Sequence, residues 1–212
     1  MASVSPGQLS PPAATRTGST REELLIAAER VFARHGFAGA SLDEVAEQVG
    51  IRRPSLLHHF RSKRELYDAV ERRIFEELNA HLTGLEAEGA PFERLMTLLN
   101  QWLTFMVERP TAARIILRNS SDLISRPADP VEFSWRTVET FVRLVEEGIA
   151  AGAFRPIKPV VALNILGSAV LSFVCNADQF GHRRRYDATG RAERAEFESA
   201  LRRAAWGVLA PA

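Results

Sequence analysis

Residues 41–66 read SLDEVAEQVGIRRPSLLHHFRSKREL, and two short amphipathic segments in this stretch flank a glycine. Apolar residues recur there at helical spacing, at Leu42, Val45, Ala46 and Val49 and then at Leu56 and Phe60. Gly50 suits the left-handed end of the first helix, and Pro54 suits the first turn of the second, where its missing amide costs nothing. The pattern predicts a helix-turn-helix, whose second helix enters the major groove of DNA. An ordinary helical hairpin fits the same spacing about equally well.

Three Ser/Thr-x-x-Glu sequences mark helix starts in the first third of the chain, at Thr20, Ser41 and Ser62. In such a capping box the hydroxyl and the carboxylate each accept a backbone N–H that the first helical turn leaves unpaired. They predict one helix from Thr20 to the region of Gly36, a second from Ser41, and a long third helix from Ser62 through Leu78.

Basic charge is concentrated on and beside the second helix of the pair. Five basic residues and no acid occur between positions 52 and 64, namely Arg52, Arg53, Arg61, Lys63 and Arg64. A charge run is usually only a solvated helix face. Here Ser55, His58 and His59 are interleaved with it, and this mixture suits contacts to phosphates and base edges.

Composition limits the class of protein. The 212 residues suffice for one or two domains, and 46% hydrophobic with 25% charged residues is ordinary for a soluble chain. The net charge of +1 means that any attraction to nucleic acid must be local. A single cysteine excludes an internal disulfide framework, and no basic-then-apolar signal segment opens the chain. We therefore expect a soluble, cytoplasmic protein.

The rest of the chain predicts an all-α fold in two domains. Residues 1–19 are rich in Pro, Ser, Thr and Ala, and we expect a disordered tail. Residues 20–82 then form the predicted DNA-binding domain with its linking helix, and residues 83–212 form a helical body. The helices predicted in the body span about 92–108, 111–118, 131–151, 159–176 and 192–209.

The string from His35 to Leu66, HGFAGASLDEVAEQVGIRRPSLLHHFRSKREL, resembles the DNA-binding domain of the TetR family of bacterial transcriptional regulators. The Gly-Phe before the helix, the Gly-Ile turn, the His-Phe end and the Ser-Lys-x-x-Leu that follows all lie at the family's spacing. The resemblance covers roughly residues 20–82. The C-terminal remainder matches only in length and in being helical.

The resemblance implies that the second helix reads bases and that a lysine at the start of the next helix holds a phosphate. The DNA-contacting residues that it implies are Ser41, Arg52, Arg53, Pro54, Ser55, Leu57, His58, His59 and Lys63. The family usually has a tyrosine where Leu57 stands, and often a serine where Arg52 stands. Leu57 cannot donate a hydrogen bond but can touch a thymine methyl, and Arg52 offers a phosphate contact instead.

The resemblance also implies a homodimer that binds a palindromic operator in double-stranded DNA, more often as a repressor than as an activator. An effector would enter a pocket in the C-terminal helices and move the long helix that starts near Lys63. We expect an apolar or amphipathic small molecule, because the body carries all three tryptophans and most phenylalanines. The candidate pocket residues are Trp102, Phe105, Met106, Phe133, Phe141 and Phe173 for the wall, with Asn100, Arg114 and Asn176 as polar options. A plain core role explains each aromatic at least as well.

The last two predicted helices are rich in small residues, which let helices approach closely. These are Gly167, Ser168, Ala169 and Ser172, then Ala200, Ala204, Ala205 and Gly207. Phe173, Leu201 and Trp206 add larger side chains for burial. In the resembled family this pair of helices forms a four-helix dimer interface with its copy, and packing within one subunit is the alternative.

The sequence contains no evident catalytic or metal-binding constellation. The five histidines do not cluster with acids or with Cys175 at ligand spacing, and neither a Gly-rich phosphate loop nor a Gly-x-Ser-x-Gly elbow occurs. We expect no cofactor, no metal and no enzymatic activity, and a core role for Cys175. Two other classes stay open: a ligand-independent DNA-binding adaptor that recruits a protein partner, and an enzyme with an incidental helix-turn-helix.

Overall fold

The computed structural model describes residues 20–83, 88–121, 135–177 and 186–211, and every regular element in these ranges is an α-helix. The helices are α1 Thr20–Gly39, α2 Leu42–Val49, α3 Arg53–His59, α4 Lys63–Leu82, α5 Pro91–Glu108, α6 Pro110–Ser121, α7 Trp135–Ala150, α8 Pro159–Cys175 and α9 Arg191–Leu209. The all-α prediction is confirmed. The predicted disordered tail and Phe133 lie outside the described residues.

The first four helices form one packed unit, which we call the head, in which α1 packs against both α2 and α4. Its core consists of fully buried apolar side chains from all four helices, including Leu24, Val31, Phe32, Val45, Leu56, Phe60 and Leu66. The ring of Tyr67 meets Phe32 edge-on, with 4.7 Å between the ring centres. These are the apolar stripes that the helical spacing predicts.

Two glycines set the turns of the head. Gly50 adopts φ 73° and ψ 30° and ends α2, and Gly36 adopts φ 70° and interrupts α1. Any other residue would be strained at these positive φ values. The predicted role of Gly50 is confirmed, whereas α1 kinks at Gly36 and continues to Gly39 instead of ending at Gly36.

In the body, α5 is the central helix and packs against α4, α6, α7, α8 and α9. Leu95, Leu99, Leu103 and Met106 are fully buried along it, which confirms the predicted deep burial. Trp102 lies against α8, where a Cβ on Gly167 would be 2.7 Å from its Cη2 atom. Within the described ranges, no helix combines the length and apolarity needed to cross a bilayer.

The helix ends differ slightly from the predicted ones. Helices α5 and α6 begin one residue before the predicted starts, on Pro91 and Pro110, and α8 begins on Pro159 as predicted. Proline suits these positions because it lacks only an N–H that the first turn leaves unpaired anyway. The described part of α7 begins at Trp135, not at the predicted residue 131, and the intervening residues lie outside the described ranges.

Candidate nucleic-acid interface

The short helix α3 is anchored on one side and exposed on the other. Leu56 and Phe60 are fully buried, and they hold the helix against the head. The predicted DNA-contacting side chains on α3 and just before it are all exposed: Arg52, Arg53, Pro54, Ser55, Leu57, His58 and His59. Leu57 is 37% exposed, so it is available for contact with a thymine methyl.

Arg53 is held in place by an acid from the preceding helix. Its Nη1 atom donates a hydrogen bond of 3.0 Å to Oδ2 of Asp43, and both side chains are more than half exposed. An ion pair as exposed as this contributes about 0–1 kcal/mol. Arg53 can therefore exchange this partner for a base edge at little cost.

Lys63 lies at the start of α4 and joins it to the end of α1. Its Nζ atom donates a hydrogen bond of 2.9 Å to the carbonyl oxygen of Ala38 and lies 5.0 Å from the ring centre of Phe37. An ammonium group has three donors, so two remain for a phosphate. The positive end of the α4 dipole adds to the attraction for an anion.

Ser41 and Ser62 both cap helices, with partners that differ in detail from the predicted boxes. The Ser41 hydroxyl accepts the N–H of Asp43 at 3.2 Å, and the Ser62 hydroxyl accepts the N–H of Glu65 at 3.0 Å. The Glu65 carboxylate accepts the N–H of Arg61 at 2.8 Å, one residue before the N-cap. Ser41 is exposed as well, so its hydroxyl is open to a phosphate.

The remaining basic residues extend this surface. Arg64 pairs with Asp68 at 2.8 Å, whereas Arg52 and Arg61 have no acid within ion-pair distance among the described residues. Arg21 of α1 lies over the Phe60 ring, 4.8 Å from its centre. Sequence spacing did not indicate Arg21, because it is brought here by tertiary packing across 39 positions.

This geometry is that of a helix-turn-helix head with a basic, exposed second helix. Residues 24–70 match the sequence profile described as bacterial regulatory proteins, tetR family. Residues 24–70 therefore form a DNA-binding domain of the TetR type.

The relatives of this chain are named as regulators of transcription. It is 29% identical over 157 residues to the HTH-type transcriptional repressor KstR2 of Mycolicibacterium smegmatis, covering 70% of this chain and 74% of that protein. It is 33% identical over 108 residues to the HTH-type transcriptional activator FasR of that species, covering 50% of this chain and 48% of FasR. The solved structure of KstR2 of Mycobacterium tuberculosis shares the fold, with a TM-score of 0.69 and 22% identity over 94% of this chain and 99% of that one.

The nine predicted effector residues lie in different environments. Phe105, Met106 and Phe141 are buried in the hydrophobic core, at most 5% exposed. Arg114 is exposed on α6, and Asn176 is the C-cap of α8. Phe133 lies outside the described residues, so the structure does not bring the nine into one described site.

The other three predicted residues, Asn100, Trp102 and Phe173, are half-buried. Within the described ranges, Asn100 Oδ1 and Trp102 Nε1 are buried without a hydrogen-bond partner. Phe173 stacks on Phe197 with 4.0 Å between ring centres, and Tyr186 stacks on Phe173 at 5.0 Å. A ligand role for these residues stays a prediction.

A cleft of about 400 Å³ opens between the end of α4, α5 and α7. We call it the arginine cleft, and its lining is Asn79, Leu82, Thr83, Arg94, Leu98, Arg136, Thr137, Glu139, Thr140, Arg143 and Leu144. It contains none of the nine predicted effector residues. One sequence signal does point to it: Arg136, Thr140 and Arg143 recur at helical spacing on the polar side of α7.

A charged cluster connects the head to the body. Glu29 of α1, only 5% exposed, accepts a hydrogen bond of 2.7 Å from Nη2 of Arg109 and one of 2.5 Å from the hydroxyl of Thr111. Arg109 also pairs with Glu77 of α4. These contacts tie α1, α4 and the start of α6 together.

Cys175 is a core residue at the end of α8. It is 8% exposed, and burial raises the pKa of its thiol above the ordinary value. A raised pKa leaves little reactive thiolate near neutral pH. In the described part of the chain, no three His, Cys, Asp or Glu side chains are grouped so that they could hold a metal ion.

Proposed function

We propose that this protein is a homodimeric, effector-responsive repressor of the TetR family, that it binds a palindromic operator in the cytoplasm, and that it is a regulator rather than an enzyme. Residues 20–82 bind DNA in this proposal, and residues 83–212 sense the effector and dimerise. The observation that carries it is the exposed face of α3, with Arg53, Ser55 and His58, followed in the chain by Lys63 at the start of α4.

The proposal of a dimer is supported by apolar side chains on the outside of α8 and α9. Val160, Val161, Ile165 and Trp206 are 53%, 42%, 47% and 54% exposed in the protomer. Large exposed apolar groups on neighbouring helices are typical of an interface. A two-fold symmetric pairing of this face fits the two-fold symmetry of a palindromic operator.

The proposal of regulation is supported by the path of α4. This helix of 20 residues begins at Lys63 beside α3, and its last turn lines the arginine cleft in the body. A ligand that displaces the end of α4 would change the separation of the two recognition helices in a dimer. Half-sites lie about 34 Å apart, so a small change in that separation weakens binding.

Selection from random double-stranded DNA with the full chain tests the proposal. We expect a palindrome whose half-sites are about one helical turn apart, bound with an affinity that falls steeply as salt rises. Transcription in vitro from a promoter that carries the selected site should then decrease when the protein is added. Recovery of unenriched DNA would overturn operator binding, and increased transcription would make the protein an activator.

A screen of small molecules by thermal shift tests the effector. Binding of one ligand to the native state should raise Tm with ligand concentration, and that ligand should release the operator. If nothing in the screen stabilises the protein, and a protein partner co-purifies with the DNA-bound form, the adaptor hypothesis gains over the effector hypothesis.

A further inference from the structure

The arginine cleft carries more positive than negative charge. Arg94 of α5 and Arg143 of α7 both reach the carboxylate of Glu147, at 2.8 and 3.6 Å. Arg136, exposed on the first turn of α7, has no carboxylate partner among the described residues. Glu139 also lines the cleft, so three arginines are set against the two carboxylates of Glu139 and Glu147. Because Arg136 forms no ion pair with any described residue, the cleft can accept a further negative group.

The other polar side chains of the cleft leave donors for an anion. The Thr137 hydroxyl donates a hydrogen bond of 2.7 Å to Oδ1 of Asn79, so the amide NH2 of Asn79 keeps its two donors. The hydroxyls of Thr83 and Thr140 donate to backbone carbonyls of their own helices instead. Asn79 and Arg136 are therefore the donors best placed to bind an acceptor that enters between α4 and α7.

A row of arginines on a helix is usually only a solvated surface. Two features set this group apart. The guanidinium groups come from two helices, with Arg94 of α5 more than 40 positions before Arg136 and Arg143 of α7, and they line one concave space. The volume of about 400 Å³ lies within the range of small-molecule sites, and Leu82, Leu98 and Leu144 add an apolar wall.

We propose that the arginine cleft binds an oxyanion, the phosphate or carboxylate group of a small organic molecule. Arg136 and the Asn79 amide donate to it, and Arg94 and Arg143 add charge after they share or release Glu147. Assigning this molecule as the effector rests on the proposed function. Its binding would pull on the last turn of α4 through Asn79, and thereby act on the head.

The test uses the full chain without DNA and two probes, sodium pyrophosphate and sodium hexanoate, titrated by calorimetry at low ionic strength. The variants are Arg136→Gln and the control Arg191→Gln, which removes an exposed arginine at the start of α9 that does not line the cleft. Circular dichroism and the Tm of the unliganded variants confirm that both fold.

We expect at least one probe to bind the wild-type protein and Arg136→Gln to weaken it about tenfold, as removal of a charge-assisted hydrogen bond implies. Arg191→Gln should leave the affinity unchanged. Binding of pyrophosphate alone identifies a phosphate ligand, and binding of hexanoate alone identifies a carboxylate. Failure of both probes to bind, or an equal loss of affinity in both variants, overturns the proposal.

Because no DNA is present, failure of this titration is separable from failure of operator binding. A second measurement tests the regulatory step. The probe that binds should weaken operator affinity for the wild-type protein and leave that of Arg136→Gln unchanged. If the probe binds but operator affinity does not change, the cleft remains an anion site and its assignment to the effector is overturned.

Discussion

The ammonium group of Lys63 donates a hydrogen bond of 2.9 Å to the carbonyl oxygen of Ala38, across the junction of α1 and α4. This contact orders the flexible Lys63 side chain before any DNA is bound. A phosphate that binds the ammonium group therefore does not have to order that side chain itself. The same residue therefore has a structural partner in the head and remaining donors for DNA.

Replacing Lys63 with Ala should weaken binding to all DNA sequences alike. Each phosphate that a protein neutralises adds about 0.9 to the slope of log affinity against log salt. If Lys63 neutralises one phosphate in each half-site, the slope should fall by about one unit per half-site. Fluorescence anisotropy over a series of salt concentrations measures it. An unchanged slope would assign Lys63 a purely structural role, through Ala38.

Replacing Arg53 with Ala should instead relax sequence preference. An arginine that forms a bidentate pair with guanine gives discrimination of roughly 1–3 kcal/mol, so preference should weaken at one symmetric pair of operator positions. Selection from random DNA with the variant measures this. The same motif from both proteins would show that Arg53 reads no base.

Asp43 provides the matched control for Arg53. Because the pair between them is exposed and contributes about 0–1 kcal/mol, Asp43→Asn should free Arg53 and tighten DNA binding by no more than about fivefold. The selected motif should stay the same. A changed motif in Asp43→Asn would mean that the acid itself takes part in base discrimination.

The fold of the head could be predicted from the sequence because the signals that specify it are local. Apolar spacing, the glycine at position 50 and the serines at 41 and 62 act within a few residues of themselves. Gly50 ends α2 and both serines cap their helices as predicted, although the partners within the predicted capping boxes differ in detail. The pair between Arg53 and Asp43 was not predicted, since it depends on how two helices are placed side by side.

The sites in the body were less predictable, because they depend on how distant helices pack and not on local signals. A stripe of large apolar residues identifies buried helices such as α5, but it does not distinguish a core from a pocket wall. Phe105 and Phe141, predicted for the wall, are buried in the core. The helical spacing of Arg136, Thr140 and Arg143 indicates a polar face on α7, but the arginine cleft itself depends on where α4, α5 and α7 leave a gap. No local pattern specifies such a gap.

Replacing Arg109 with Ala should destabilise the protein, because it leaves the buried carboxylate of Glu29 without its cation. Removal of one partner from a buried pair costs about 3–5 kcal/mol, and we expect the lower end because the Arg109 side chain is 27% exposed. Urea unfolding measures the change in free energy. Adding Glu29→Gln should recover part of the lost stability, since it removes the unpaired charge.

The control for Arg109 is Arg64→Ala. It removes a pair with Asp68 in which the side chains are 36% and 33% exposed, one helical turn apart. Such pairs contribute about 0.3–0.5 kcal/mol, so this variant should unfold at nearly the wild-type urea concentration. Equal destabilisation of the two variants would show that the cluster around Glu29 adds nothing beyond an ordinary surface pair.

Replacing Ile165 with Glu should separate the proposed dimer into folded protomers. Ile165 is 47% exposed on α8, so a charge there should change the stability of one protomer by no more than about 0.5 kcal/mol. In a dimer interface the same charge would be buried without a partner, and the dimer should dissociate. Light scattering measures the mass, and circular dichroism checks the fold.

A separated protomer should bind the operator more weakly, because it lacks the second recognition helix. In a dimer, binding of one half-site holds the second recognition helix close to the other half-site. A separated protomer loses this effect, so operator affinity should fall by about 10²–10⁴-fold. The control is Ile26→Glu, because Ile26 is 38% exposed on α1, which lies in the head. This variant should keep the wild-type mass. If Ile165→Glu also keeps the wild-type mass, the outer face of α8 is not the dimer interface, and the second recognition helix must be brought to the operator by another surface.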